Sequence, residues 1–251
     1  MPDHDSNPTL LAAATIAARF RGPPGLGNGG YVAGRMAALL GGDAYGQAAE
    51  VTLRRGWPLD VPLAIAHAGG MVEARDAEGQ VVAEARPATL ALEVPEPPSP
   101  AAAAAATRWF VDGPFSHSAG QCFVCGTALG AGIGLGVFSG RVEGRPGLAA
   151  ALWRPDAKFA GADGMVDPLY LWSALDCAGH FAFTVDVAPG RMLLGRITGE
   201  LRAPVAVGED CIVLGWRIGA EGRKRHAGTA IFGADGGLRG LARALWVVPA
   251  P

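Results

Sequence analysis

The sequence predicts an α+β protein of two tandem modules, each one helix followed by several antiparallel strands, closing on each other as a pseudo-dimer. Two observations carry this. At 251 residues the chain exceeds the ~100–150 residues of an ordinary domain. The same order of elements also appears on both sides of a Pro- and Ala-rich segment, Val94 to Ala106. The expected layout is a first module over 10–93, a linker over 94–120 and a second module over 121–251.

In the first half a glycine-rich turn, Gly22 to Gly30, leads to a helix expected over Tyr31–Leu40, stopped by Gly41-Gly42. Its small residues Ala33, Gly34, Ala37 and Ala38 suit close approach by neighbours. Strands are expected over Ala49–Arg55, Leu63–Ala68, Gly70–Arg75 and Val81–Leu92, with Asp76 to Gly79 as the turn joining the last two. The prolines after Val94 cannot pair inside a sheet, whereas the alanines can form a short helix against either half.

The second half repeats the pattern with longer loops. Asp167 is a good N-cap with Pro168 at the first helical position, so a helix is expected from Leu169 to Ala178, ending at Gly179. Strands follow at Leu193–Arg202, Cys211–Ile218, Ala227–Phe232 and Leu238–Val248. Asp235-Gly-Gly237 stands where Asp76 to Gly79 stood, and Pro204 to Val207 answers Pro58 to Val61.

Composition excludes several classes. A net charge of −2 gives no electrostatic footprint for nucleic acid or an anionic membrane. No run approaches the ~20 apolar residues of a membrane helix. The acidic, polar start Met1 to Asn7 is the wrong flank for a secretory signal. Four cysteines make no disulfide framework in a chain this long, so a cytoplasmic protein is expected.

Three short motifs carry a resemblance. Asn28-Gly-Gly-Tyr31, opening a small-residue helix, resembles the helix start of double-hotdog acyl-CoA thioesterases. Cys122-Phe-Val-Cys-Gly126, with Gly134-Leu135 after it, is similar to the opening of other hotdog thioesterase-like proteins. Trp172-Ser-Ala-Leu-Asp176 resembles the helix segment where many members of that superfamily place an acidic residue. The resemblance implies two tandem hotdog modules and an acyl-CoA thioester hydrolase, with coenzyme A met only as part of the substrate and no other cofactor. A homo-oligomer of such pseudo-dimers is compatible with it. Departures are visible. Many single-hotdog thioesterases carry His-Gly-Gly where this chain has Asn28-Gly-Gly and Val166-Asp-Pro. The double-hotdog enzymes add Thr and Gln beside their Asp, where this chain offers Leu194 or Thr198 and Ala244 or Leu245.

The candidate catalytic residues are Asp176 and Asn28. A carboxylate in an apolar helix needs a partner or a purpose, either as base or nucleophile at a thioester carbonyl or as a structural group bonded to Ser173, His180 or an arginine. Gly29 and Gly30 at a helix N-terminus expose N–H groups that could stabilise an oxyanion, or serve only to pack. Trp172 and Thr198 complete the expected substrate contacts. Matching the helices sets Ala38 opposite Asp176, so each half supplies one part of a single composite site. Arg223, Lys224 and Arg225 are candidates for coenzyme A phosphates, with a solvated turn as the plain reading; Arg54, Arg55, Arg196 and Arg202 are similar. Cys122-x-x-Cys125 lacks a second ligand pair, so no metal is expected, and Cys177 and Cys211 read as core. His67 and His180 read as ordinary histidines. Two alternatives stand beside the hydrolase: a non-catalytic acyl-CoA-binding protein, and an enoyl-CoA hydratase-like enzyme suggested by the spacing of Asp112 and His117.

Overall fold

The computed structural model describes residues 9–113, 120–187 and 190–250. Their strands form one antiparallel sheet. The chain runs β1 (Thr9–Ala14), α1 (Gly29–Ala38), β2 (Ala48–Leu53), β3 (Leu63–Ala68), β4 (Met71–Arg75) and β5 (Val81–Ala88). It continues through α2 (Pro100–Asp112), β6 (Gly140–Arg141), β7 (Leu148–Trp153), α3 (Pro168–Thr184), β8 (Leu193–Leu201), β9 (Cys211–Glu221), β10 (Lys224–Phe232) and β11 (Leu238–Val247). The spatial order is β1-β3-β4-β5-β2-β8-β11-β10-β9-β7-β6. Reading outward from the β2–β8 contact, each half presents its strands in the same sequence. The halves are thus related by a pseudo-two-fold, and β1 and β7 are the matching outer strands.

The seam is a regular antiparallel ladder, Ala48 opposite Glu200 through Thr52 opposite Arg196. It pairs the edge that each half would otherwise expose. The central helices α1 and α3 lie against each other and against the inner face of the sheet. Val51, Ile65, Val72, Leu171, Leu175, Ile197 and Val213 fill the space between. The outer faces differ. On the first half it is polar, with Arg54 paired to Glu84 and Arg86 to Glu50. On the second half Ile212, Leu214, Trp216 and Phe232 make an apolar surface. The linker covers it: Ala103 and Ala106 of α2, and Leu90, Leu92 and Val94 before it, pack there. Ser99 caps α2, accepting from the Ala102 N–H at 3.2 Å. The alanine run therefore chose the second half.

Several expected boundaries shift. Helix α1 starts two residues earlier than expected, because Asn28 is its N-cap and accepts from the Tyr31 N–H. Val81–Leu92 shortens to end at Ala88. Helix α3 runs through Gly179 to Thr184. A Cβ at Gly179 would lie 3.1 Å from Ala227 Cβ and 3.1 Å from Trp246 Nε1, so this glycine admits a neighbouring strand and does not end the helix. Strands β1 and β7 are absent from the sequence reading. No helix among the described residues is long and apolar enough to cross a membrane.

A fragment of residues 121–251 loses both β2 and the apolar cover of α2. It should self-associate or precipitate, as size-exclusion chromatography will show; a monomer with a native-like cooperative melt would mean that the seam is dispensable.

Candidate active site

The two helix N-termini are built alike. Asn28 donates its N–H to Phe20 O at 2.8 Å and Asp167 does the same to Phe159 O at 2.9 Å. Both side chains cap their helices. Phe20 stacks on Tyr31 at 3.8 Å between centroids, and Phe159 meets Tyr170 at 4.9 Å. Phe123 touches all four rings. Matching N-cap to N-cap places Ala37, rather than the expected Ala38, opposite Asp176.

At Asp176 the likeness ends. Its carboxylate is 2% exposed and reaches across to the other half. Oδ2 accepts from Asn28 Nδ2 at 2.9 Å and from the Gly30 N–H at 2.8 Å. Oδ1 is buried and makes no hydrogen bond among the described residues. Burial lifts the carboxyl to about 7, against the pull of the Gly30 N–H; the nearby Cys122 adds to the rise and the Asn28 amide opposes it. In the other half the positions matching Asp176 and Gly30 hold Ala37, with no carboxylate, and Leu169, whose N–H is spent on its own cap, Asp167 Oδ1, at 2.9 Å. The structure therefore joins the carboxylate of one half to the helix start of the other, at one place only among the described residues.

The helices can approach this closely because α1 has Gly30 and Gly34 on the facing side. A Cβ at Gly30 would lie 2.7 Å from Asp176 Cβ and 2.8 Å from Trp172 O; one at Gly34 would lie 2.8 Å from Trp172 Cβ. Gly30 is thus needed for packing, and its N–H is already engaged. In the first turn of α1 the N–H left without a hydrogen bond among the described residues is that of Gly29.

A cleft of about 1110 Å³ opens at this point. Asn28, Gly29 and Asp176 line it together with apolar groups such as Leu53, Trp57, Phe181, Met192, Leu194 and Trp246. Arg21, Arg54, Arg55 and Arg191 stand among its walls. Arg54 is bidentate to Glu84 and Arg55 lies 3.6 Å from Asp76, while Arg191 makes no ion pair among the described residues.

Other expected site residues fall elsewhere. Trp172 is a packing residue wedged against Gly34, outside the cleft lining. Thr198 lies in the seam opposite Glu50, its hydroxyl 3.4 Å from that carboxylate. Of the residues expected near the Thr and Gln positions, Leu194 lines the cleft and Thr198, Ala244 and Leu245 do not. Ser173 does not hold Asp176; its hydroxyl donates to Leu169 O at 2.7 Å. Arg223 lies in the β9–β10 turn, and Lys224 and Arg225 open β10, Lys224 opposite Val247 and Arg225 opposite Trp246. The three thus border two cleft residues without lining the cleft. Arg196 and Arg202 pair with Glu50 and Glu200. His117 lies outside the described residues.

Two features were missed. Cys177, expected as core, comes together with Cys122 and Cys125, their sulphurs all within 4.8 Å of one another. The signal available in the sequence was its place beside Asp176. His180, one turn beyond Asp176, lines the same cleft and meets Trp246 edge-on at 5.3 Å.

No protein-family model matches the sequence, and no curated protein matches it either. Solved structures do. The Mycobacterium avium subs paratuberculosis tesB protein MAP1729c is 14% identical with a TM-score of 0.63, the match covering 96% of each chain. A protein of unknown function with hot dog fold from Alicyclobacillus acidocaldarius is 13% identical with a TM-score of 0.65, over 97% of this chain and 96% of that one. The chain has a double hotdog fold. A third double-length match, a Novosphingobium aromaticivorans protein described as a candidate thioesterase, is 13% identical with a TM-score of 0.61 over 96% of this chain and 98% of its own. In this hotdog pair the central helices are α1 and α3, and the cleft opens where they meet.

Two outcomes follow. Gly30→Ala forces α1 from α3 and should cost roughly 1–3 kcal/mol, read from urea melts, and should weaken ligand binding because the helix start moves. The pH dependence of stability concerns His180. Burial lowers its pKa from 6.5 to about 4, so the unfolded chain takes up a proton that the folded one refuses. The contribution of His180 is therefore complete above pH ~6.5 and is lost as pH falls toward ~4, by about 3 kcal/mol, while Asp176, raised to about 7 in the folded chain, shifts stability the opposite way over the same range. In His180→Gln this part of the acid loss should vanish when melts at pH 4.5 and 7.5 are compared.

Proposed function

We propose that the protein hydrolyses the thioester of an acyl-coenzyme A at this cleft. The observation that carries the reading is Asp176: a buried carboxylate with one oxygen fixed by Asn28 and Gly30 and the other unpartnered beside an apolar cleft. A carboxyl held near neutral pH can take a proton and return it within one cycle. Asp176 Oδ1 takes the proton of a water as its oxygen attacks the carbonyl carbon. The Gly29 N–H, at the positive end of α1, supports the negative charge that develops on the carbonyl oxygen. Collapse breaks the C–S bond, and the proton passes from Asp176 to the departing thiolate. Products are the free acid and coenzyme A.

The apolar walls suit an acyl chain, and Arg21, Arg54, Arg55 and Arg191 suit phosphates. The four free thiols suit a reducing compartment, and with it the cytoplasm. The name of the Novosphingobium structure agrees with this chemistry. A cleft that holds acyl-CoA without cleaving it is the second reading, favoured by Thr198 lying away from Asp176.

The test is thiol release from a panel of acyl-CoAs by the parent protein and Asp176→Asn. The variant keeps its shape and loses its basicity, so turnover should fall ~10²–10⁴-fold with binding retained. Binding without turnover in the parent would favour the second reading; full turnover in the variant would remove Asp176 as the base.

A further inference from the structure

We propose that Cys122, Cys125 and Cys177 bind one zinc ion, with the fourth coordination position open to the cleft. This is independent of the thioesterase reading, and it reverses the expectation of no metal, which counted only the two thiols that are close in sequence.

Three observations converge. First, the sulphurs lie within 4.8 Å of one another, with Cys122 and Cys177 at 3.9 Å. Tetrahedral zinc at about 2.3 Å from each thiolate sets its sulphurs ~3.8 Å apart. Second, the frame is built before any ion arrives. The Cys122–Gly126 turn is closed by the Gly126 N–H on Cys122 O at 2.8 Å. Asn28 Nδ2 donates to the Cys122 sulphur at 3.8 Å, the kind of outer hydrogen bonding that steadies a ligand thiolate. Cys177 comes from α3, most of whose residues are buried. Third, all three thiols line the cleft. No fourth Cys, His, Asp or Glu joins them among the described residues. Three protein ligands and one open position is the arrangement of zinc that meets a substrate or water, rather than of zinc that only holds a fold.

Thiolates select zinc over the hard cations. The balance is simple: each thiol that binds as thiolate releases its proton to solvent, and no electron is transferred. An ion there would set a Lewis acid one residue along α3 from Asp176. Cys211, buried in β9 and outside the group, is the internal control.

The full chain, purified under reducing conditions, is titrated with zinc and, separately, with cobalt(II), and its bound metal is measured after desalting. About one zinc per chain is expected, along with the sulphur-to-cobalt charge-transfer band and intense visible bands of a tetrahedral thiolate site. Cys177→Ala should lower affinity by more than ~100-fold, since even an outer partner is worth ~10–100-fold; Cys211→Ala should leave it unchanged. If Cys177→Ala does not fold, the cobalt spectrum of the parent decides alone. Folded, reduced protein that retains no zinc and gives no thiolate–cobalt spectrum would overturn the site. So would rapid disulfide formation among these cysteines in the presence of excess zinc, which would make the cluster a thiol redox centre.

Discussion

The contact between Asp176 and the first turn of α1 organises this molecule. A carboxylate removed from water is expensive, and here its cost is offset by two hydrogen bonds and by the favourable end of a helix dipole. Those partners belong to the other half of the chain, so the bonds form only when both modules are docked. Docking in turn requires that α1 present no side chain at Gly30 or Gly34. One spacing therefore fixes the helix crossing, the orientation of the carboxylate and the position of the cleft.

The pseudo-two-fold makes the departures informative. Caps, aromatic rings and strand order repeat between halves, which shows how much of each module serves only to fold. Apart from the longer α3 and the added β6, what does not repeat comes down to Asp176 against Ala37, Gly29 and Gly30 against Pro168 and Leu169, and the polar outer face of the first sheet against the covered face of the second. The first two differences both fall at the cleft. The third explains the linker, which is long enough to carry α2 because the second sheet needs a cover.

Much of this was legible in the sequence, where local chemistry decides local structure. Asp167-Pro168 and Asn28-Gly-Gly read as helix starts, and Asp76 to Gly79 as a turn. The pairing of Asp176 with residues 28–30 could be inferred because each half carried half of a site. The failures have physical causes. Strands β1 and β7 are alanine-rich, and alanine has neither the β-branching nor the alternation that marks a strand. Gly179 looked like a helix stop because a sequence does not distinguish a glycine that ends a helix from one that admits a neighbour. Thr198 was placed by likeness to other proteins, but strand register turns it toward Glu50. Cys177 is the core residue expected, but its approach to Cys122 and Cys125, 55 and 52 positions away, is a proximity only tertiary structure creates.

The continuous ladder between β2 and β8 also bears on how such a chain can change over generations. Where two identical subunits meet, every substitution appears on both sides of the axis, so one that sharpens a function on one side is imposed on the other. Covalent fusion across the seam removes that tie. A proline can rigidify one helix start while two glycines keep the other approachable, and a charge can be buried once rather than twice. The halves can then drift apart in everything except the surface at which they join.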